Sequence, residues 1–198
     1  LTLRDCRFRD FPLGDSVVRC RRGRIEGCEF INNGYRGASA IGGVLYCFSG
    51  MTEVDRCVFR GNKGNSGGAI GSDRATIRVT NSLFEGNQAF SGGVASVTTT
   101  GKVELLNCTL VGNDAFSGSI ASIPGSESIV LRNCIVWGNT GTGLFFEPTL
   151  PPASPVITYS VVQGGYIGEG NIDADPQFVD AANRDYRLKP TSPCIDAG

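Results

Sequence analysis

The feature that most constrains this chain is that it says the same thing at a fixed interval. Three segments between Thr76 and Asn139 align: Val79-Thr80-Asn81-Ser82-Leu83-Phe84-Glu85-Gly86-Asn87, then Leu105-Leu106-Asn107-Cys108-Thr109-Leu110-Val111-Gly112-Asn113, then Leu131-Arg132-Asn133-Cys134-Ile135-Val136-Trp137-Gly138-Asn139. Their offset is 26 residues each time. A period in the range of about 20 to 50 residues marks a stacked array, in which each unit buries its apolar face against its neighbours and not within itself.

The repeat extends in both directions once a column is fixed. Cys6, Cys28, Cys57, Ser82, Cys108, Cys134 and Ser160 share one position. Three residues before it stand Leu3, Ile25, Val54, Val79, Leu105, Leu131 and Ile157. Two residues after it stand Phe8, Phe30, Phe59, Phe84, Leu110, Val136 and Val162. The intervening positions change freely between charged and neutral residues, which is the period of a strand with one buried face. Two asparagine columns accompany the apolar ones: Asn81, Asn107 and Asn133 just before the Cys/Ser column, and Asn33, Asn62, Asn87, Asn113 and Asn139 five residues after it. Asparagine tolerates the left-handed backbone of a sharp corner, and its amide bonds to its own turn or to the next amide in a stack, so both columns are expected to be corner ladders.

A second strand signal follows each of the later asparagines, in Gly42-Gly43-Val44-Leu45, Gly67-Gly68-Ala69-Ile70, Gly92-Gly93-Val94-Ala95 and Gly118-Ser119-Ile120-Ala121. Three short strands per turn, with corners between them and no helical segment, predict an all-β, single-stranded parallel β-helix of about 7 to 8 coils. The strict six-residue period of a hexapeptide helix and the helix-bearing unit of a leucine-rich horseshoe are both missing. The expected organisation is one domain over residues 1–198, with repeat coils over 1–165 and a closing coil or cap over 166–198. Two departures interrupt the coils: Phe11-Pro12-Leu13-Gly14 replaces the first asparagine corner, and a Pro-rich loop spans 144–155.

Cys57-Val58-Phe59-Arg60-Gly61-Asn62 followed by Gly67-Gly68-Ala69-Ile70 resembles the right-handed β-helix repeats of the chlamydial polymorphic outer-membrane proteins. It also resembles those of secreted, surface-anchored bacterial β-helix proteins. The tail Asn171-Ile172-Asp173-Ala174-Asp175-Pro176-Gln177-Phe178-Val179-Asp180, with Asp185-Tyr186-Arg187-Leu188 and Ser192-Pro193-Cys194-Ile195-Asp196-Ala197-Gly198, is similar to the C-terminal coil of that second group. The resemblance implies right-handedness, a secreted or cell-surface location and a bacterial source. It also brings in polysaccharide lyases and hydrolases, which share the fold.

Fold alone does not decide chemistry. Histidine is absent, which removes the commonest general base and transition-metal ligand. Lys63 and Lys102 are isolated, and Glu26, Glu53, Asp55, Glu85 and Glu104 are scattered over several columns. Glu26 and Asp55 stack, but Arg24 and Arg56 stand close enough to neutralise them. No catalytic residue is singled out. Asp173 and Asp175 are the candidate metal ligands, with Ca2+ the cation that their spacing suits; in a turn they would instead cap backbone amides. The eight cysteines show no CxxC spacing. Those of the repeat column read as buried free thiols, while Cys20 and Cys47, each three residues before a glycine, form the candidate disulfide.

Net charge is −1 and no basic block marks a nucleic-acid surface. No apolar run approaches the length of about 20 residues needed to span a bilayer. Residues 1–36 carry eight arginines against five acids, whereas residues 169–198 carry three basic residues against six acids. Ends of opposite sign favour head-to-tail approach of other copies or neighbouring modules. The expected role is a non-catalytic structural or adhesive module with such partners, and the alternative is a polysaccharide-active or glycan-binding protein.

Overall fold

The computed structural model describes residues 1–11, 16–34, 43–124, 128–146 and 155–195. Its strands wind into a parallel solenoid with four faces. The first sheet stacks Thr2–Arg4, Gly23–Glu26, Gly50–Asp55, Ala75–Thr80, Lys102–Leu106, Ser128–Arg132 and Val156–Thr158. The second stacks Arg7–Arg9, Glu29–Ile31, Val58–Arg60, Leu83–Glu85, Thr109–Val111, Ile135–Trp137 and Val161–Val162. A third, of four strands, holds Lys63–Ser66, Gln88–Ser91, Asp114–Ser117 and Thr140–Thr142. A fourth, of six, holds Val18–Cys20, Leu45–Cys47, Ile70–Asp73, Ala95–Thr98, Ala121–Ser122 and Phe145–Phe146.

Among the described residues two sheets thus reach seven rungs while the others reach six and four, fewer complete turns than the 7 to 8 expected. The face that three strands per turn left out is the third sheet. Its strands point small residues inward (Gly64, Ala89, Ala115), so no inward apolar column betrays them. The Gly-Gly pairs expected to open a strand are instead the corner after this sheet: Gly67, Gly92 and Gly118 have φ of 75°, 67° and 65°. A Cβ on Gly68 would overlap the Gly93 carbonyl oxygen of the next rung, which is why glycine stands there.

The repeat column sets the register. Val54, Val79, Leu105, Leu131 and Ile157 pair in succession along the first sheet. On the second sheet Phe8, Phe30, Phe59 and Phe84 stack face to face with centroids 5.0, 4.9 and 4.9 Å apart, and Leu110 continues the file. Phe30, Phe59 and Phe84 are wholly buried. Burial of each ring is worth about 1.5 to 3 kcal/mol, and each stacked contact adds about 0.5 to 1.5 kcal/mol. The Cys/Ser column lies inside as expected, with Cys28, Cys57, Cys108 and Cys134 buried as free thiols.

The two asparagine columns do different jobs. Between the first and second sheets all seven rungs place a left-handed residue: Asp5, Gly27, Arg56, Asn81, Asn107, Asn133 and Tyr159, with φ between 50° and 62°. Asn81, Asn107 and Asn133 belong to this exposed corner. The later column is not left-handed. That conformation falls one residue earlier, at Asn32, Gly61, Gly86, Gly112 and Gly138, and this frees Asn33, Asn62, Asn87, Asn113 and Asn139 to turn their amides inward.

The expected closing coil covers the end only in part. Ile172 bridges Val161 on the last rung, and Asn171 Oδ1 accepts from Ser160 N–H at 3.1 Å. The chain then leaves the end. Phe178–Asp180 and Asp185–Leu188 form an antiparallel hairpin around the 3-10 turn Ala181–Asn183, and this hairpin lies back along the flank, with Arg184 bonded to Glu85 three rungs away. Among the described residues no helix is long and apolar enough to cross a membrane. The Pro12-Leu13-Gly14 departure, most of the 144–155 loop, Gly42 and the final Asp196-Ala197-Gly198 lie outside the described residues.

Candidate functional site

The returning hairpin makes a groove against the corner between the first and second sheets. Its floor is the left-handed corner itself, with Arg56, Asn81 and Asn107 and the adjacent Ser82, Leu83 and Thr109; its wall is Arg184, Asp185, Tyr186 and Arg187; the cavity measures about 510 Å3. A second hollow of about 190 Å3 continues it past Asn133 to Tyr159, closed by Leu188 and Cys194.

The exposed amides form a file along this floor. Asn133 donates to Asn107 at 2.8 Å, Asn107 to Asn81 at 3.3 Å, and Asn81 to the Asp55 carboxylate at 2.9 Å. Asp55 also accepts from the Thr80 hydroxyl at 2.7 Å and from Arg56 at 2.5 Å. The Thr80 bond, helped by Asn81 and Arg56, holds the Asp55 carboxyl below the usual carboxylate range. Arg56 reaches across to Glu26 as well, so the stacked Glu26 and Asp55 share one guanidinium, and Arg4 and Arg24 lie within 3.5 and 3.7 Å of Glu26. In the wall, Arg187 grips Asp185 at 2.6 Å and keeps its carboxyl low. Glu85 lies between Arg60 at 2.5 Å and Arg184 at 3.1 Å. Burial, with Glu85 beside it, pushes the Tyr186 hydroxyl up. The groove therefore presents amides, guanidinium edges and a phenol, with its carboxylates paired: hydrogen-bonding surface for a polar chain.

The other ladder is wholly internal. Asn33, Asn62, Asn87 and Asn113 are fully buried. Each donates through Nδ2 to the next oxygen: Asn33 to Asn62 at 3.0 Å, Asn62 to Asn87 at 3.0 Å, Asn87 to Asn113 at 2.9 Å and Asn113 to Asn139 at 2.9 Å. Each oxygen also accepts the preceding asparagine's backbone N–H, as Asn87 does from Asn62 at 3.1 Å. These amides have no capacity left for a ligand.

The remaining candidates lie apart from the groove. Asp173 and Asp175 sit outside any strand and cap backbone amides: Asp173 accepts from Gly164 N–H at 3.1 Å and Asp175 from Gln177 N–H at 2.8 Å. No group of three or more His, Cys, Asp or Glu suited to a metal ion occurs among the described residues. Cys20 and Cys47 stack in register as free thiols, with sulfurs 3.2 Å apart and the Thr52 hydroxyl 3.4 Å from each. The Cys47 thiol, donating to Cys20, pulls Cys20 down to about 6 and is itself pushed up. Lys102 is tied to Glu104 at 2.7 Å. Lys63 is exposed at the start of a strand of the third sheet.

Sequence reasoning missed the groove because its two walls are about a hundred residues apart in the chain. The available signal was Asp185-Tyr186-Arg187-Leu188, an alternating strand with no repeat column to join.

Four-faced parallel coils with in-register ladders define a parallel β-solenoid. The family model for the right-handed beta helix region matches residues 1–149. The chain belongs to that right-handed β-helix family. Neither curated proteins nor solved structures gave a match.

Proposed function

We propose that this chain is a non-catalytic, extracellular or cell-surface β-helix module of bacterial type, with a structural and adhesive role. It meets other copies or neighbouring β-helix modules through its coil ends. The observation that carries the reading is the pairing of carboxylates along its faces. Glu26, Asp55, Glu85, Glu104 and Asp185 each meet an arginine or lysine, whereas glycoside chemistry requires one carboxyl kept protonated by its surroundings. On the open side of the first rung, Thr2–Arg4 and Arg7–Arg9 have strand partners on one side only. The Phe8 ring is stacked on one face and half-buried. Such an edge accepts another rung. The resemblance to chlamydial and surface-anchored bacterial repeats supports the location. Sedimentation and negative-stain microscopy over a concentration series test the assembly: end-joined rods are expected, and discrete monomers at every concentration refute it.

A second reading is favoured by the groove. The exposed amide file beside Tyr186 and Arg187 suits an extended, acidic glycan. Release of unsaturated uronide or reducing ends from a glycan panel distinguishes turnover from binding alone.

A further inference from the structure

Among the described residues, the third sheet carries the two most exposed phenylalanines. Phe90 and Phe116 are 63% and 69% exposed, and they stack with centroids 5.3 Å apart and planes 13° from parallel. Neither ring contributes to the interior, and the outward positions around them are polar. Two residues before the phenylalanine position on these strands run Lys63, Gln88, Asp114 and Thr140, in register and all exposed. Above Phe116 the file stops. The pairing slips there, so that Ala115 and Ser117 oppose Gly141 and Thr142 and nothing stands opposite Phe116. Its upper ring face is the open end of a stack.

We propose that this aromatic step and the polar file beside it bind a neutral, extended pyranose glycan. One sugar seats its C–H face on Phe116, in the place where a further ring of the stack would lie. Aromatic rings attract the weakly positive C–H edges of an apolar face, and a pyranose has such a face rimmed with hydroxyls. The rungs are about 4.8 Å apart, close to the length of one sugar unit in an extended chain, so successive hydroxyls meet successive members of the file. Among the described residues the file holds one cation, Lys63, and one anion, Asp114, which accepts from the Thr140 hydroxyl at 2.6 Å; the file therefore carries no net charge and suits a neutral ligand. A protein partner would call for a broad apolar patch, and two isolated rings among Lys, Gln, Asn, Asp and Thr do not make one.

The proposal gives the adhesive role a ligand and rests on that role, yet it can fail while end-to-end assembly stands. Native gels cast with soluble mixed-linkage β-glucan, galactomannan or arabinoxylan, and a pectate gel, test it on the dilute full chain. Retardation is expected in at least one neutral gel, with binding roughly tenfold weaker in Phe116→Ser and retained in Phe116→Tyr, far-UV circular dichroism being unchanged in both. The proposal is overturned if no neutral polysaccharide retards the protein, or if Phe116→Ser is retarded equally. It is also overturned if only pectate acts, which would favour the groove, or if the rings prove to hold a dimer that Phe116→Ser dissolves.

Discussion

Replacing Asn87 by alanine tests whether the internal amide ladder holds the coils together. The side chain accepts from Asn62 N–H at 3.1 Å and from Asn62 Nδ2 at 3.0 Å, and donates to the Phe59 carbonyl and to Asn113 Oδ1, both at 2.9 Å. Asn113 Oδ1 retains the Asn87 backbone N–H at 3.0 Å. The other three hydrogen bonds are lost in a fully buried site. At about 1 to 3 kcal/mol for each orphaned group, the expected loss is about 4 kcal/mol. Asn107→Ala provides the scale. Its bonds are solvent-exposed, and its cost is chiefly that of a left-handed alanine, about 1 to 2 kcal/mol. Urea unfolding followed by circular dichroism and by Trp137 fluorescence measures both. Asn139→Ala, at the half-buried end of the file, falls between them and serves if Asn87→Ala does not fold. A loss under about 1 kcal/mol for Asn87→Ala, or one equal to that of Asn107→Ala, refutes the reasoning.

Phe59→Ala, between two stacked rings, should cost about 3 to 5 kcal/mol and Phe8→Ala clearly less, as read from thermal midpoints. Mild oxidation should join Cys20 to Cys47, lowering the intact mass by two hydrogens and stabilising the chain by about 3.5 kcal/mol for a loop of this length; a thiol count unchanged by diamide sinks this. Gly86→Ala meets nothing within 4 Å and should cost about 1 to 2 kcal/mol, the strain of a left-handed alanine, whereas Gly68→Ala should prevent soluble expression. Glu104 is held below the usual range by Lys102, then Arg78. A carboxyl lowered on folding stabilises above its unfolded value and loses that contribution as pH falls through the folded value. Thermal midpoints should therefore drop below about pH 4, and less steeply in Arg78→Ala with Lys102→Ala.

The apolar columns were legible because burial inside a solenoid is repeated at every rung, so one register error would have broken all seven lines at once. The asparagines were legible as ladders, but not as two kinds. Sequence shows that Asn87 and Asn107 recur; it does not show that Gly86 takes the left-handed corner and frees Asn87, while Asn107 must take its own. The third sheet was hidden for a related reason. Its inward residues are glycine and alanine, chosen for lack of bulk, and a strand that packs by being small leaves no hydrophobic period. The groove depends on where the hairpin lies, and that is fixed by Arg184 meeting Glu85 across rungs that no local pattern connects.

The two amide files point in opposite senses. Inside, every amide-to-amide bond is donated toward the later rung, from Asn33 to Asn139; on the corner every such bond is donated toward the earlier one, from Asn133 to the Asp55 carboxylate, a natural terminus for a polarised chain of donors. The rod consequently has a grain. A second copy that prolonged either file would have to lie in the same sense, because a reversed copy would bring carbonyl against carbonyl or amine against amine.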